Sequence, residues 1–467
     1  MNGQLKEACG VFGIRAQNEE AAHITHNALL ALQHRGQEGA GIAVLKGSAI
    51  LYHKNVGLVS EVFTPSVLKK LPASSLAIGH VRYSTTGTNS RENTQPIVTE
   101  YLKGRIATAH NGNITNAAEI RHKLQEIGCS FTASNDSEII SSLIAYEALS
   151  CDEIETAVEA AVKQLKGAFS LVVLTSQNKL IAVRDGWGFR PLCVGRNGRE
   201  LAVCSESAAL DSIGFDFVRD VQPGEMVVID ENYELTSRMV LEQERRGACI
   251  FEHIYFARTD SVIDNLSVYQ ARFNMGRELA REYPVDADIV CGVPDSGMVA
   301  AAGYAAESGL PLVSGFVKNR YIARSFIAPT QSQRDSAVTL KLNPLKVNVR
   351  GKRIVLVDDS IVRGTTSAKI IRSLKEAGAQ EVHMRISSPP FRHACYYGTD
   401  IDSEKVLIAN QKTLPELADF IGADSLGFIS IEGLKHACKE GNLPYCTGCF
   451  DGGYPLDTAS LSKSQFE

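Results

Sequence analysis

The segment Val355-Leu356-Val357-Asp358-Asp359-Ser360-Ile361-Val362-Arg363-Gly364-Thr365-Thr366 constrains the fold more than any other stretch of the chain. Its apolar start reads as a buried strand that runs directly into two adjacent carboxylates. A loop with a glycine and hydroxyls follows, and residues 365–377 then take up helical apolar spacing. Two aspartates at the end of a buried strand are costly without partners. They therefore point to a ligand more than to an acidic helix cap. The helix start beyond them offers N–H groups and a positive dipole end to a phosphate. The carboxylates can accept hydrogen bonds from vicinal ribose hydroxyls and help hold a hydrated Mg²⁺.

Similar units surround this one. Residues 288–293 form an apolar strand, 294–297 a turn and 298–306 a helix; 353–357 and 381–387 are further strands. Strand–loop–helix units in alternation predict a parallel α/β sheet. Before about residue 240 the pattern differs. Strands are predicted at 9–16, 39–46, 49–54, 76–84, 106–110, 169–175, 180–184 and 201–205, with helices at 21–33, 136–149 and 154–165. Many strands with clustered helices predict stacked layers. The charged segment 241–247 is the expected boundary. The expected organisation is a short leader at 1–8, a layered α+β domain at 9–240 and an α/β domain at 241–467.

Composition limits the partners. Apolar residues make up 44% of the 467 and charged residues 22%, enough to bury a sizeable core. A net charge of −5 argues against nucleic acid or an anionic membrane surface, since both select basic faces. No apolar run is long enough to span a bilayer. Residues 1–8, with Lys6 and Glu7, do not form a secretory signal, so a cytoplasmic location is expected. In that reducing compartment the eleven cysteines are not expected to form a disulfide framework. Cys193, Cys204 and Cys291 lie in apolar runs and read as small core residues.

Cys9-Gly10-Val11-Phe12-Gly13 starts the first strand. A free thiol is mostly protonated at neutral pH and needs a base to act as a nucleophile. A cysteine at the chain start can use its own α-amine, whose pKa is about 7.7–8.0. That use of Cys9 requires removal of eight residues. Alone, Cys9 reads more readily as a buried strand cysteine than as a nucleophile. Four polar segments change the weighting: Gln33-His34-Arg35-Gly36-Gln37-Glu38-Gly39, Gly79-His80-Val81-Arg82-Tyr83-Ser84-Thr85, His110-Asn111-Gly112-Asn113 and Ser134-Asn135-Asp136-Ser137-Glu138. Polar residues at strand ends are where sites are built, although Asn111-Gly112 is also a turn signal and Asp136 also suits a helix start.

In this order and spacing, the five segments resemble the class II glutamine amidotransferases, N-terminal-nucleophile hydrolases with a four-layer αββα fold. The resemblance spans about residues 9–235. It implies that Cys9 attacks the side-chain amide of glutamine. It makes the Asn111 side chain and the Gly112 N–H the oxyanion hole, where donors meet charge that develops in the transition state. Arg82 would bind the glutamine α-carboxylate through its planar fork, and Asp136 the α-ammonium. Residues 1–8 resemble the propeptide that some members remove.

The segment around Asp358 and Asp359 resembles the phosphoribosyl-pyrophosphate signature of type I phosphoribosyltransferases. That implies ribose and metal contacts for the two aspartates and a 5′-phosphate cradle from Arg363, Gly364, Thr365, Thr366 and Ser367, with Ser360 a further substrate contact. Cys291-Gly292-Val293-Pro294-Asp295-Ser296-Gly297 resembles the pyrophosphate loop, with Ser296 on the Mg²⁺ side. Residues 318–326 resemble a closing loop, and Lys341 is a further pyrophosphate candidate. The two halves in one chain, with Tyr255-Phe256-Ala257-Arg258-Thr259-Asp260-Ser261, resemble the amidophosphoribosyltransferase family. That implies transfer of ammonia from glutamine to phosphoribosyl pyrophosphate, giving phosphoribosylamine, pyrophosphate and glutamate, at the start of purine synthesis. It also implies feedback by purine nucleotides and a homotetramer. Another class II amidotransferase with a phosphoribosyl-type acceptor, or a phosphoribosyl-binding regulator, are the rival readings. The regulator would leave the amidotransferase segments unused.

Cys446-Thr447-Gly448-Cys449 alone is open to zinc, cluster or redox chemistry. Together with Cys249 and Cys395 it resembles the ligand set of the family's iron–sulfur branch. Four thiolates suit a 4Fe–4S cluster, and zinc remains the alternative.

Overall fold

The computed structural model describes residues 9–83, 90–242, 247–319, 342–399, 401, 403–441 and 444–456. Lys341, most of the 318–326 loop and residues 1–8 fall outside the described residues.

Among the described residues, the first half contains two antiparallel sheets. One has the order β11-β9-β10-β1-β4-β2-β3, from β1 (Gly10–Arg15), β2 (Gly39–Lys46), β3 (Ala49–Val56), β4 (Leu76–Arg82), β9 (Cys193–Asn197), β10 (Glu200–Cys204) and β11 (Asp216–Asp220). The other runs β13-β12-β8-β7-β6-β5, from β5 (Ile97–Tyr101), β6 (Gly104–Ile114), β7 (Gly167–Thr175), β8 (Leu180–Arg184), β12 (Glu225–Ile229) and β13 (Leu235–Met239).

Strand alternation builds the layers, because successive side chains point to opposite faces. Val11, Ala43, Ala107 and Val172 pack between the sheets. Their neighbours Phe12, Ile14 and Val44 turn to a helical layer that includes Ala21–Ala31. Ile106, Leu171 and Val173 turn the other way, onto Asp136–Glu147 and Ile154–Val162. The result is the helix–sheet–sheet–helix stack implied by the resemblance.

The second half carries a parallel sheet in which Arg353–Asp358 lies between Ile289–Gly292 and Glu381–Ile386, with Ser425–Phe428 at the edge. Val290, Val355 and Val357 pack on one face, while Ile289, Cys291, Ile354 and Leu356 pack on the other. Doubly covered strands explain the near-continuous apolar runs in the sequence. The first of those cores also takes in Ala168 and Phe189, so apolar packing crosses from one half to the other. A long helix, Val268–Glu282, was not anticipated from the sequence. It packs on Met298–Ser308, where Gly276 and Gly303 let the backbones meet: a Cβ on either would stand 1.9 Å from a carbonyl oxygen. No helix among the described residues is long and apolar enough to cross a membrane.

Candidate active sites

Antiparallel register assembles the first site. β1 pairs with β4 so that Gly10 faces Val81, which sets Cys9 beside Arg82. Cys9 is buried, and its Sγ lies 3.3 Å from the Tyr83 carbonyl oxygen and 3.4 Å from the Tyr83 N–H nitrogen that donates to it. Burial, the largest influence, pushes the thiol pKa up, against the opposing effects of the Tyr83 hydrogen bond and the Arg82 charge. The thiol is thus held protonated and requires a base. The polar turn before β2 packs on the same strand end; a Cβ on Gly36 would stand 2.6 Å from the Arg82 carbonyl carbon.

β6 supplies the facing wall. Asn111 is 1% exposed, and its Nδ2 has no hydrogen-bond partner. A buried donor without a partner costs about 1–3 kcal/mol, and one aimed into a site is available to an incoming oxyanion. Gly112 has φ +146°, and a Cβ there would stand 2.0 Å from the Ala168 carbonyl oxygen. Only glycine tolerates that backbone. Asp136 opens the helix Asp136–Glu147 behind this strand, where the Asn135 side chain accepts from the Glu138 N–H. Asp136 Oδ2 accepts from the Ile114 N–H at 3.0 Å, and Oδ1 is 3.6 Å from His110 Nδ1. Burial works to raise the Asp136 pKa, but His110 and the Ile114 N–H hold it below the ordinary carboxylate value. An ionised carboxylate and the Arg82 guanidinium therefore stand near the thiol, as recognition of an α-amino acid requires.

Several contributors were not singled out from the sequence. Gln95 clamps β6 just beyond the end of β5: its Oε1 accepts from the His110 N–H at 2.6 Å and its Nε2 donates to the His110 carbonyl at 3.2 Å. Arg35, inside the quoted Gln-His-Arg-Gly segment, donates through Nε to the Cys9 carbonyl at 3.0 Å. It also forks onto Glu252 at 2.9 and 3.0 Å and pairs with Glu206. The signal for Arg35 lay in its motif. Gln95 carried none, because its role depends on which strand runs out beside it.

The second site lies at the carboxyl end of the parallel sheet. Asp358 and Asp359 are 8% and 7% exposed. Asp358 Oδ1 accepts from the Asp359 N–H at 3.0 Å and from Ser296 Oγ at 3.4 Å. Burial and then the Asp359 charge push the Asp358 pKa well up. A cation bound there would reverse that cost. Ser296 reaches the pair because Gly297 packs on the strand, where a Cβ would stand 2.2 Å from the Val357 carbonyl oxygen. Lys318 pairs with Asp295 of the same turn. Beyond the aspartates, Gly364 has φ +73° and starts the helix Thr365–Glu376, which no side chain caps. Ser360, Arg363, Thr365, Thr366 and Ser367 line that turn in sequence, so helix N–H groups face outward where a phosphate would dock. Arg272, buried on Val268–Glu282, feels the Asp359 charge; burial, the larger effect, takes its pKa down to about 10.

The four cysteines converge in a third place. Cys249 and Cys446 are directly paired in a two-stranded parallel ladder. The Cys449 carbonyl accepts the Arg392 and His393 N–H groups at 3.0 and 3.1 Å, which brings in the turn carrying Cys395. The four thiols lie within electrostatic range of one another; burial, the largest cause, raises Cys249 to about 11 and Cys446 and Cys449 further. Cys438 is fully buried in the adjoining core and does not join them. Among the described residues, no three His, Cys, Asp or Glu side chains are close enough to hold a single metal ion.

The comparisons agree with this division. A glutamine amidotransferase domain family matches residues 80–212, and a phosphoribosyl transferase domain family matches residues 264–409. The chain is thus a glutamine amidotransferase joined to a phosphoribosyltransferase. The amidophosphoribosyltransferase of Synechocystis sp. is 48% identical over 469 residues, covering 99% of this chain and 94% of that one. That of Archaeoglobus fulgidus is 48% identical, covering 96% and 98%. The solved glutamine phosphoribosylpyrophosphate amidotransferase of B. subtilis, in complex with ADP and GMP, superposes with a TM-score of 0.90 at 42% identity over 97% of this chain and 99% of that one. This chain belongs to the amidophosphoribosyltransferase family.

Proposed function

We propose that the three places divide one synthesis between them, and the observation that carries the reading is the buried Cys9 thiol within electrostatic range of both Arg82 and Asp136, with the unpartnered Asn111 Nδ2 on the strand whose Ile114 N–H holds Asp136. The enzyme transfers ammonia from glutamine to phosphoribosyl pyrophosphate in purine biosynthesis. Once residues 1–8 are removed, the freed Cys9 α-amine takes the thiol proton. The thiolate attacks the glutamine amide carbon while Asn111 and the Gly112 N–H hold the oxyanion. Arg82 and Asp136 hold the α-carboxylate and α-ammonium. The C–N bond breaks, ammonia leaves, and water hydrolyses the thioester to glutamate.

Ammonia then attacks C1 of phosphoribosyl pyrophosphate as pyrophosphate departs. Asp358 and Asp359 orient the ribose, residues 363–367 hold the 5′-phosphate, and Ser360 contacts the substrate beside them. Lys341 belongs to the pyrophosphate side of this reading, as a residue outside the described set. Ser296, Asp358 and Asp359, with the substrate, would hold Mg²⁺, which would supply positive charge against the pyrophosphate. Cys249, Cys395, Cys446 and Cys449 would hold a 4Fe–4S cluster, structural or an oxygen-sensitive stability switch. A water-poor path between the sites keeps ammonia unprotonated. The domains run over 9–240 and 241–467, the enzyme is a cytoplasmic homotetramer, and purine nucleotides inhibit it; the ADP and GMP in the B. subtilis structure support only the last of these.

The test is glutamate release by anaerobically purified protein, with and without phosphoribosyl pyrophosphate and Mg²⁺. Stimulated glutamate release with matching pyrophosphate supports two coupled sites. Equal release under both conditions sinks the coupling. N-terminal sequencing of active enzyme should begin at Cys9; Met-Asn-Gly would sink the α-amine base.

A further inference from the structure

Four charged side chains with no exposure to speak of connect the halves: Arg35, Glu206, Glu252 and Arg190 are each at most 2% exposed. Desolvating ion pairs is a poor way to stabilise a fold. Planar guanidinium forks, however, fix distances well. This chain of charges starts at the nucleophile. Arg35 Nε donates to the Cys9 carbonyl, its two terminal nitrogens fork onto Glu252, and Glu252 Oε1 accepts from Arg190 Nη1 at 2.9 Å. Arg190 Nη2 then donates to the Tyr397 carbonyl at 2.9 Å.

Tyr397 belongs to Cys395-Tyr396-Tyr397-Gly398, and that segment also touches the oxyanion strand directly. Asn113 Nδ2 donates to the Tyr396 carbonyl at 2.8 Å. Gly398 sits so close that a Cβ would stand 2.9 Å from Arg190 Nη2 and 3.3 Å from the Gly112 carbonyl carbon. Phe189 stacks on Tyr397 with ring centroids 4.2 Å apart. The Arg190 carbonyl accepts from Ser170 Oγ at 3.1 Å, and Ser170 is the ladder partner of Asn111. At the other end, the Tyr397 N–H donates to Cys395 Sγ at 3.4 Å.

We infer that Arg190 and the 395–398 segment position the glutaminase machinery: Arg190 holds the Cys9 carbonyl through Glu252 and Arg35, and the segment braces Gly112 and Asn113. This rests on the glutaminase roles proposed for Cys9, Asn111 and Gly112. It makes the segment that carries Cys395 a brace for chemistry in the other half of the chain. Whatever the four cysteines hold, displacing that segment misplaces the oxyanion strand.

The test uses full-length protein purified anaerobically, as wild type, Arg190→Gln, Arg190→Lys and Asn113→Ala. Three rates are compared: glutamine-dependent glutamate release, pyrophosphate release driven by added ammonium, and labelling of Cys9 by a diazoketone analogue of glutamine. Iron per chain is measured on the same samples. Arg190→Gln is expected to lower kcat for glutamine about 10- to 100-fold, the range for a displaced but intact site. KM for glutamine should move less than about threefold, labelling should slow with kcat, and the ammonium-driven rate should hold within about twofold. Lysine should restore only part, because one ammonium meets Glu252 or the Tyr397 carbonyl but does not fork between them. Asn113→Ala should give the same split at smaller amplitude, and it carries the test should Arg190→Gln not fold. An unchanged glutamine kcat and labelling rate overturns the proposal. So does an ammonium-driven rate that falls in step, which marks general structural damage. Iron missing from the wild type would defeat the cluster reading while the kinetic split still decides this one.

Discussion

Asn111→Ala separates stability from catalysis. In the native protein the Asn111 Nδ2 is buried and bonds nothing, so the fold already bears a desolvation cost of about 1–3 kcal/mol for that donor. Truncation to alanine removes the cost together with a little packing, and the two effects oppose each other. At about 2–4 °C per kcal/mol for domains of this size, the melting temperature should move by no more than a few degrees in either direction. Glutamine hydrolysis should respond very differently. In the proposed oxyanion hole the donor would acquire a partner only as the amide oxygen becomes an oxyanion, and loss of one such donor costs about 10²–10³ in kcat. Pyrophosphate release driven by ammonium bypasses the glutaminase site and should be retained. The assay is glutamate release against ammonium-driven pyrophosphate release, with calorimetry on the same samples. A glutamine kcat within about threefold of wild type would show that Asn111 does not donate in the transition state. A melting temperature lower by about 10 °C or more would refute the claim that Nδ2 is unpartnered in the ground state.

Three further outcomes follow from the same geometry. Gln95→Leu strips the His110 N–H of its side-chain acceptor and the His110 carbonyl of one donor; it should lower glutamine kcat about tenfold and leave ammonium-driven synthesis intact, with Gln95→Glu milder because it keeps the acceptor. Gly364→Ala places a Cβ at φ +73° and 3.1 Å from Phe420 Cε1, so the phosphate-facing turn must shift; KM for phosphoribosyl pyrophosphate should rise about tenfold, matching the 1–2 kcal/mol cost of left-handed backbone, while glutaminase activity measured without that substrate stays constant. Asp220 is raised to about 7, by burial first and then by the Asp264 charge. A raised folded-state carboxyl contributes stability below its unfolded pKa and loses it as pH rises to the folded value. Melting temperature should therefore decline between about pH 4 and 7, and Asp220→Asn should flatten that slope; a parallel slope in the variant would sink the assignment.

What the sequence by itself determined was whatever short-range chemistry writes into consecutive residues. An apolar run ending in Asp358-Asp359 and a glycine-hydroxyl loop dictates a strand end opening onto a helix, because each feature acts within a few residues. Many strands with clustered helices before about residue 240 likewise announced a stack of layers, since each apolar face must be covered by another element. The Gly112 position was legible as glycine, but its reason, the Ala168 carbonyl 2.0 Å from where a Cβ would stand, was not. Strands such as Ile97–Tyr101 and Asp216–Asp220 were missed because edge strands are half-exposed and carry a weak pattern. Val268–Glu282 was missed because polar and charged residues, the buried Arg272 among them, interrupt its apolar spacing.

Tertiary structure alone decided the rest. Cys9 stands beside Arg82 because of a strand register in which Gly10 faces Val81, 71 positions away in sequence. Arg35 meets Glu252 across 217 positions, and Arg190 meets Tyr397 across 207. No local pattern encodes such pairs. They arise when two separately covered sheets press their rims together, and buried charges must then find one another or remain unpaired in a medium that penalises them severely.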